Sequence, residues 1–220
     1  MKKPIILCDF DGTITKRDNI LSIMKKFAPP EWERLKDDIL ASNISIQKGV
    51  GDMFRLIPSY EKYQLIEYAL SHAELREGFH EFVSYTKEVD IPLYVVSGGM
   101  DFFVKPILKS LIPDDHIFCN EADFSGDFVT VHWPHACDDA CQNECGCCKP
   151  SILRKLKEED HEVIVIGDSI TDFQVATMAD VVFARDFLIE KCTEEGISFQ
   201  PFESFFDIVK SLKKRQVVNV

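Results

Sequence analysis

The sequence predicts an α/β protein: a Rossmann-like, doubly wound parallel sheet carrying an inserted helical cap. Three observations predict it. Four short runs, at residues 4–9, 93–97, 163–167 and 181–184, are dense in Ile, Val and Leu without polar alternation, as expected of strands covered on both faces of a parallel sheet. Helical patterns lie between and after these runs, and that alternation implies βαβ units. Residues 16–75 break the rhythm with helices and no strand.

Taken in order, the first run is followed by four segments with apolar residues at helical spacing, at 20–27, 31–40, 46–57 and 60–71. Pro29-Pro30, Ser42-Asn43 and Pro58-Ser59 separate them, and Ser45 and Ser59 suit helix N-caps. Further helices are expected at 77–88, 101–111, 151–159, 172–178 and 204–214. Between the second and third strand runs lies a second insertion, 119–148, expected to open with a hairpin. There Ser125-Gly126-Asp127 turns between Phe124 and Phe128. The division that follows is a catalytic core of residues 1–15 and 76–220, holding the Cys-rich insertion, and a helical cap domain of residues 16–75.

Composition narrows the function. An apolar fraction of 45% over 220 residues is enough for a hydrophobic core. A net charge of −12 argues against nucleic acid, whose binding needs clustered Lys and Arg, and against anionic lipid. A phosphorylated small molecule stays open, because a bound divalent cation can supply the positive site it needs. The apolar run at the N-terminus is too short for a signal-peptide core and ends in Asp9, and no stretch is long enough to span a membrane. A cytoplasmic location is expected, with the eight cysteines mostly reduced.

In open α/β sheets ligands bind beyond the carboxyl ends of the strands. The residues there are Asp9-Phe10-Asp11-Gly12-Thr13, Ser97-Gly98-Gly99, and Gly167-Asp168-Ser169-Ile170-Thr171-Asp172, with Lys149-Pro150 opening a later helix. Phosphoryl transfer needs an aligned nucleophile, a proton donor for the leaving alcohol and positive charge around the phosphoryl oxygens. Asp9 and Asp11 are two residues apart, and Gly12 permits the chain to turn beside them. One carboxylate can then attack phosphorus while the other reaches the leaving oxygen. Asp168 adds a hard oxygen of the kind Mg²⁺ prefers.

These motifs, in this order, resemble those of the haloacid dehalogenase superfamily of phosphatases, and the match spans the whole core. The resemblance implies a haloacid dehalogenase-type fold and a Mg²⁺-dependent phosphatase. It implies that Asp9 is phosphorylated, that Asp11 protonates the leaving group and then activates water, and that Ser97 and Lys149 hold the phosphoryl oxygens. Asp9, Asp168 and the backbone carbonyl of Asp11 would ligate Mg²⁺, with Asp172 in support. Thr13, Gly98 and Gly99 are expected beside the substrate.

Within the superfamily the chain is most similar to the phosphoserine-phosphatase group, and there to the phosphatases of bacterial methionine salvage. Asp18-Asn19 after the first motif and the run from Asn143 to Pro150 carry that likeness. Gly12 stands where that group usually has serine. Met53, beside Phe54, falls where a cap arginine would grip a serine carboxylate, and an apolar, polarizable pair suits a methylthio tail better. Asp18 is placed to meet the substrate's hydroxyl or keto groups. Phosphoserine is the nearest alternative substrate, and a phosphomutase stays open. A non-enzymatic receiver-type signalling domain is the alternative of another class, although it lacks both the Asp-x-Asp pair on strand one and the cap.

Cys137, Cys141 and Cys145 are four residues apart, a spacing that would put them along one helical face. Cys147 and Cys148 follow, and His132 and His135 lie upstream. The spacing does not match common paired Cys-x-x-Cys ribbons. A structural metal, disulfides and free thiols all remain open at this point.

Overall fold

The computed structural model describes residues 2–218. Its strands are β1 (Lys3–Cys8), β2 (Leu93–Met100), β3 (Ile117–Asp123), β4 (Thr130–His132), β5 (His161–Gly167), β6 (Val181–Ala184) and β7 (Gln200–Pro201). They form one sheet in the order β4-β3-β2-β1-β5-β6-β7. Every pairing is parallel except that of β3 with β4.

The sheet is apolar on both faces, which explains the unbroken Ile/Val/Leu runs. Ile6 and Cys8 of β1 join one apolar cluster, which also takes in Phe79 and Phe82 of α5 (Phe79–Glu88) and Phe205 and Ile208 of α10 (Phe205–Val218). Ile5 and Leu7 point the other way, into a cluster with Ile152 and Leu153 of α7 (Lys149–Leu156) and Val175 of α8 (Ile170–Ala176). Alternate residues of a strand face opposite sides, so both sets must be apolar when helices cover both. Phe205 packs on Phe79 and Phe82 with ring centroids 5.0 Å from each. Full burial of one such ring contributes about 1.5–3 kcal/mol.

Before β2 the chain makes α1 (Asn19–Phe27), α2 (Glu31–Leu40), α3 (Ile46–Phe54) and α4 (Lys62–His72). Ser45 caps α3 as expected, its hydroxyl accepting from the Lys48 N–H at 3.2 Å. Ser59 does not act as a cap: it begins a short 3₁₀ turn, and its buried hydroxyl has no partner. Departure and return of this segment are stitched together. Thr15 bridges Leu75 in antiparallel fashion, and the Lys16 and Arg76 N–H groups donate to the Glu74 and Ile14 carbonyls at 2.9 and 2.8 Å.

Two further helices flank the sheet, α6 (Asp101–Leu108) and α9 (Asp186–Glu194). α9 and β7 were not among the expected elements. The β3–β4 hairpin does form, but with Asp123 opposite Thr130 its turn is wider than Ser125-Gly126-Asp127. Residues 133–148 form a loop, so the four-residue cysteine spacing is not realised on a helix. Among the described residues no helix is long and apolar enough to cross a membrane.

β2 lies on one side of β1 and β5 on the other, so the strand order reverses at β1. Such a switch point opens a crevice at the carboxyl ends of the strands.

Candidate active site

Asp9 follows the last residue of β1 and Asp168 the last residue of β5, so both stand at the crevice. Asp172 lies in the first turn of α8. Carboxylate oxygens of Asp9, Asp168 and Asp172 lie within 4.8 Å of one another. Lys149, at the start of α7, is 5% exposed and donates to both Asp9 and Asp172. One ammonium thus faces three acids, and burial leaves the excess negative charge poorly solvated.

The electrostatics follow from that arrangement. Burial pushes the Asp9 carboxyl well above the ordinary carboxylate range; the charges of Asp172 and Asp168 add to the shift, and Lys149 opposes it. Asp168 is pushed up to about 6, by burial first and then by Asp172. Burial alone would lower the Lys149 pKa, but Asp172 and Asp9 outweigh it and raise it.

Asp172 is buried and accepts from the Asp168 and Ser169 N–H groups at 3.2 and 3.0 Å, and from the Ser169 hydroxyl at 3.1 Å. It therefore pins the turn after β5 as well as holding Lys149. A Cβ on Gly167 would overlap the Asp172 carboxylate, so this approach requires glycine there.

The turn at residues 10–14 is irregular, and Gly12 sits in the left-handed region at φ +84°. A Cβ at Gly12 would overlap the Asp168 carboxylate. Thr13 is fully buried, and its hydroxyl donates to Asp168 Oδ1 at 2.8 Å. Asp11 accepts at one oxygen from both the backbone N–H (2.9 Å) and the side-chain amide (2.7 Å) of Asn19. Burial, and next the charge of Asp18, push the Asp11 carboxyl up to about 7 against the pull of those bonds.

Ser97 is fully buried near the end of β2, where its hydroxyl accepts from the Gly99 N–H at 2.9 Å. Gly98 opens to solvent, with nothing near its missing Cβ, whereas a Cβ on Gly99 would meet Phe103 and Val104 at 2.8 and 2.9 Å. Asp18 is exposed and caps α1, accepting from the Leu21 N–H at 2.9 Å. Met53 and Phe54 are buried in the main apolar cluster and are not open side chains of the crevice.

Three further residues hold this site, and the sequence did not single them out for a role. Arg76 is buried and donates through Nε to the Thr13 carbonyl (2.8 Å) and through Nη2 to the Gly12 carbonyl (2.6 Å), clamping the turn. Asn19 fixes Asp11, and Asn120 donates to the Gly98 carbonyl at 2.8 Å. For Asn19 its place beside Asp18 was a signal; for Arg76 and Asn120 the linear sequence offers none. A surface groove of about 970 Å³, lined by Lys2, Lys3, His161 and Arg215 among others, lies at the amino-terminal ends of β1 and β5, away from these acids.

Comparison with known proteins agrees with this geometry. A family model for haloacid dehalogenase-like hydrolases matches residues 6–177. A 2-hydroxy-3-keto-5-methylthiopentenyl-1-phosphate phosphatase of Geobacillus thermodenitrificans is 59% identical, over 99% of this chain and 100% of its own. The Bacillus cereus (strain B4264) protein of the same name is 57% identical over 94% and 95%. Among solved structures, the phosphoserine phosphatase of T. onnurineus superposes with a TM-score of 0.73 at 17% identity, covering 97% of this chain and 95% of that one. A phospho-aspartyl intermediate analogue of a phosphoserine phosphatase gives 0.71 at 22%, over 96% and 99%. At those identities the structures speak for the fold. The family match, the near full-length relatives and the acids gathered at the switch point together place the chain among the haloacid dehalogenase-like hydrolases.

Proposed function

We propose that this enzyme, a phosphoric monoester hydrolase, cleaves 2-hydroxy-3-keto-5-methylthiopentenyl-1-phosphate by way of a phosphorylated Asp9. One observation carries the reading: three carboxylates gather at the switch point, two of them on a single buried lysine, in a chain 59% identical along its length to a phosphatase of that name.

In this reading Asp9 attacks phosphorus and the ester oxygen leaves. Asp11, fixed by Asn19 just past the nucleophile, gives that oxygen its proton and later takes one from the attacking water. Its carboxyl, pushed up toward neutrality, suits both duties. Lys149 and the Ser97 hydroxyl hold the phosphoryl oxygens, with the backbone of Gly98 and Gly99 beside them and Thr13 keeping Asp168 in place. The donor set fits Mg²⁺: clustered hard oxygens in a buried site with surplus negative charge. Asp9, Asp168 and the Asp11 carbonyl would hold the ion, Asp172 supporting from behind, and it would supply positive charge against the phosphate dianion.

Residues 16–75 act as the cap that covers the crevice and selects the leaving group. Met53 and Phe54 enter as packing that shapes its apolar wall, and Asp18 as a polar group at its edge. A cytoplasmic location fits such a metabolic role, with neither nucleic acid nor membrane as partner.

Side-by-side turnover of the methylthio substrate and phosphoserine tests the proposal. A higher kcat/KM for the former is expected. A large preference for phosphoserine would overturn the substrate assignment.

A further inference from the structure

The loop that leads into Lys149 carries chemistry that phosphate hydrolysis does not use. Cys137, Cys141, Cys145 and Cys148 bring their four Sγ atoms within 4.8 Å of one another. The Cys141 and Cys145 sulfurs are 3.8 Å apart. A tetrahedral Zn²⁺ site with Zn–S of about 2.3 Å has an S···S edge of roughly 3.8 Å. A disulfide would need about 2.05 Å. The cluster excludes its nearest competitors. Cys147 turns away toward the Phe118 carbonyl, His132 pairs with Asp123, and the His135 ring packs against Phe118.

We propose that Cys137, Cys141, Cys145 and Cys148 form a structural tetrathiolate zinc site. Four thiols lose their protons to solvent as the ion enters, leaving a complex of net charge −2. The surroundings suit that charge. The Cys145 N–H reaches Cys137 Sγ at 3.4 Å and the Ser151 hydroxyl reaches Cys148 Sγ at 3.0 Å. Arg154 in turn donates to Ser151 at 3.3 Å, and grips Asp138, the neighbour of Cys137, through two bonds. Such outer contacts orient ligand sulfurs.

Backbone geometry is committed to the same end. Between Cys145 and Cys148 the chain reverses through left-handed Gly146 at φ +78°, and Glu144 adopts φ +48° just before. A non-glycine residue there is uncommon and costs strain. A Cβ on Gly146 would crowd Trp133 at 2.8 Å, and Trp133 also lies against Gly51 of α3. The Glu144 carbonyl accepts from the Gln47 N–H of α3 at 3.0 Å. The proposed ion thus knots together a loop that touches α3 on one side and ends at Cys148, next to Lys149, on the other. Four protein thiols fill a tetrahedral shell and leave no open position of the kind a catalytic zinc keeps.

The test is metal analysis of the full-length protein grown with zinc and desalted. One zinc per chain is expected, released in step with mercurial titration of four thiols. Cobalt substituted for it should show the intense visible bands of a tetrahedral thiolate site. Cys141→Ser should lose the metal, whereas Cys147→Ser and Cys119→Ser should keep one zinc. The last two variants keep the test decisive if Cys141→Ser fails to fold. Zinc-free protein, stoichiometric iron in its place, loss of zinc in Cys147→Ser, or a mass showing paired disulfides among the four would each overturn the assignment.

Discussion

At the scale of the single residue, the site depends on what stands beside each acid. Asp9 needs an oxygen that can attack, and an amide has no such nucleophile. Asp9→Asn is therefore expected to reduce phosphate release to background while the far-UV circular dichroism stays unchanged; appreciable turnover would count against the nucleophile assignment. Gly12 is constrained twice, by its left-handed backbone and by the Asp168 carboxylate in the space a Cβ would take. Gly12→Ala should cost about 1–3 kcal/mol through strain at that φ, read as a lower denaturant midpoint, and should weaken turnover because Asp168 must move. Asp9, Asp11, Gly12 and Asp168 were legible in the sequence because each follows a strand whose end faces the crevice. Asn19 and Asn120 were not legible as to role. Their amides meet partners fixed only by the folded chain, eight residues back for one and 22 for the other.

At the scale of the element, Arg76 is the clearest case of a part that serves a distant turn. It opens the return to the core, and its planar fork spans the Gly12 and Thr13 carbonyls. Arg76→Ala leaves two acceptors without their donor, and a loss of about 1–3 kcal/mol is expected for a buried unsatisfied group. Arg76→Lys should recover only part of it, since a point ammonium cannot imitate the fork. Thermal unfolding of the two variants checks both statements. The four strand runs were readable because helices cover both their faces, which forces apolar residues at every position. β3 was legible only as the first arm of a hairpin, because Asn120-Glu121 interrupt its apolar run, and β7 was not legible because it has only two residues. α9 lies where the sequence offered no capping signal that stood out. The cysteine spacing suggested a helix, but turns at Glu144 and Gly146 gather those sulfurs instead.

At the scale of the whole molecule, the buried Asp9 and Asp172 and the half-buried Asp168 gather beside one lysine and need more positive charge than it supplies. Chelation is therefore expected to abolish turnover and added Mg²⁺ to restore it; full activity in excess chelator would contradict the proposed ion. The parallel pairing and a site at the strand ends follow from the alternation that the sequence displays, whereas the strand order does not. The way α1–α4 share one apolar cluster with the sheet does not, because that contact is made between residues far apart in the chain. The stitched pair at Thr15 and Leu75 has one more consequence. Residues 16–74 between them form a closed detour whose two ends sit roughly one strand spacing, about 5 Å, apart. A tight turn can rejoin those ends, so one detour can be exchanged for another over evolutionary time without shifting a single strand. Taste for new substrates can then drift while the reacting carboxylates stay where they are.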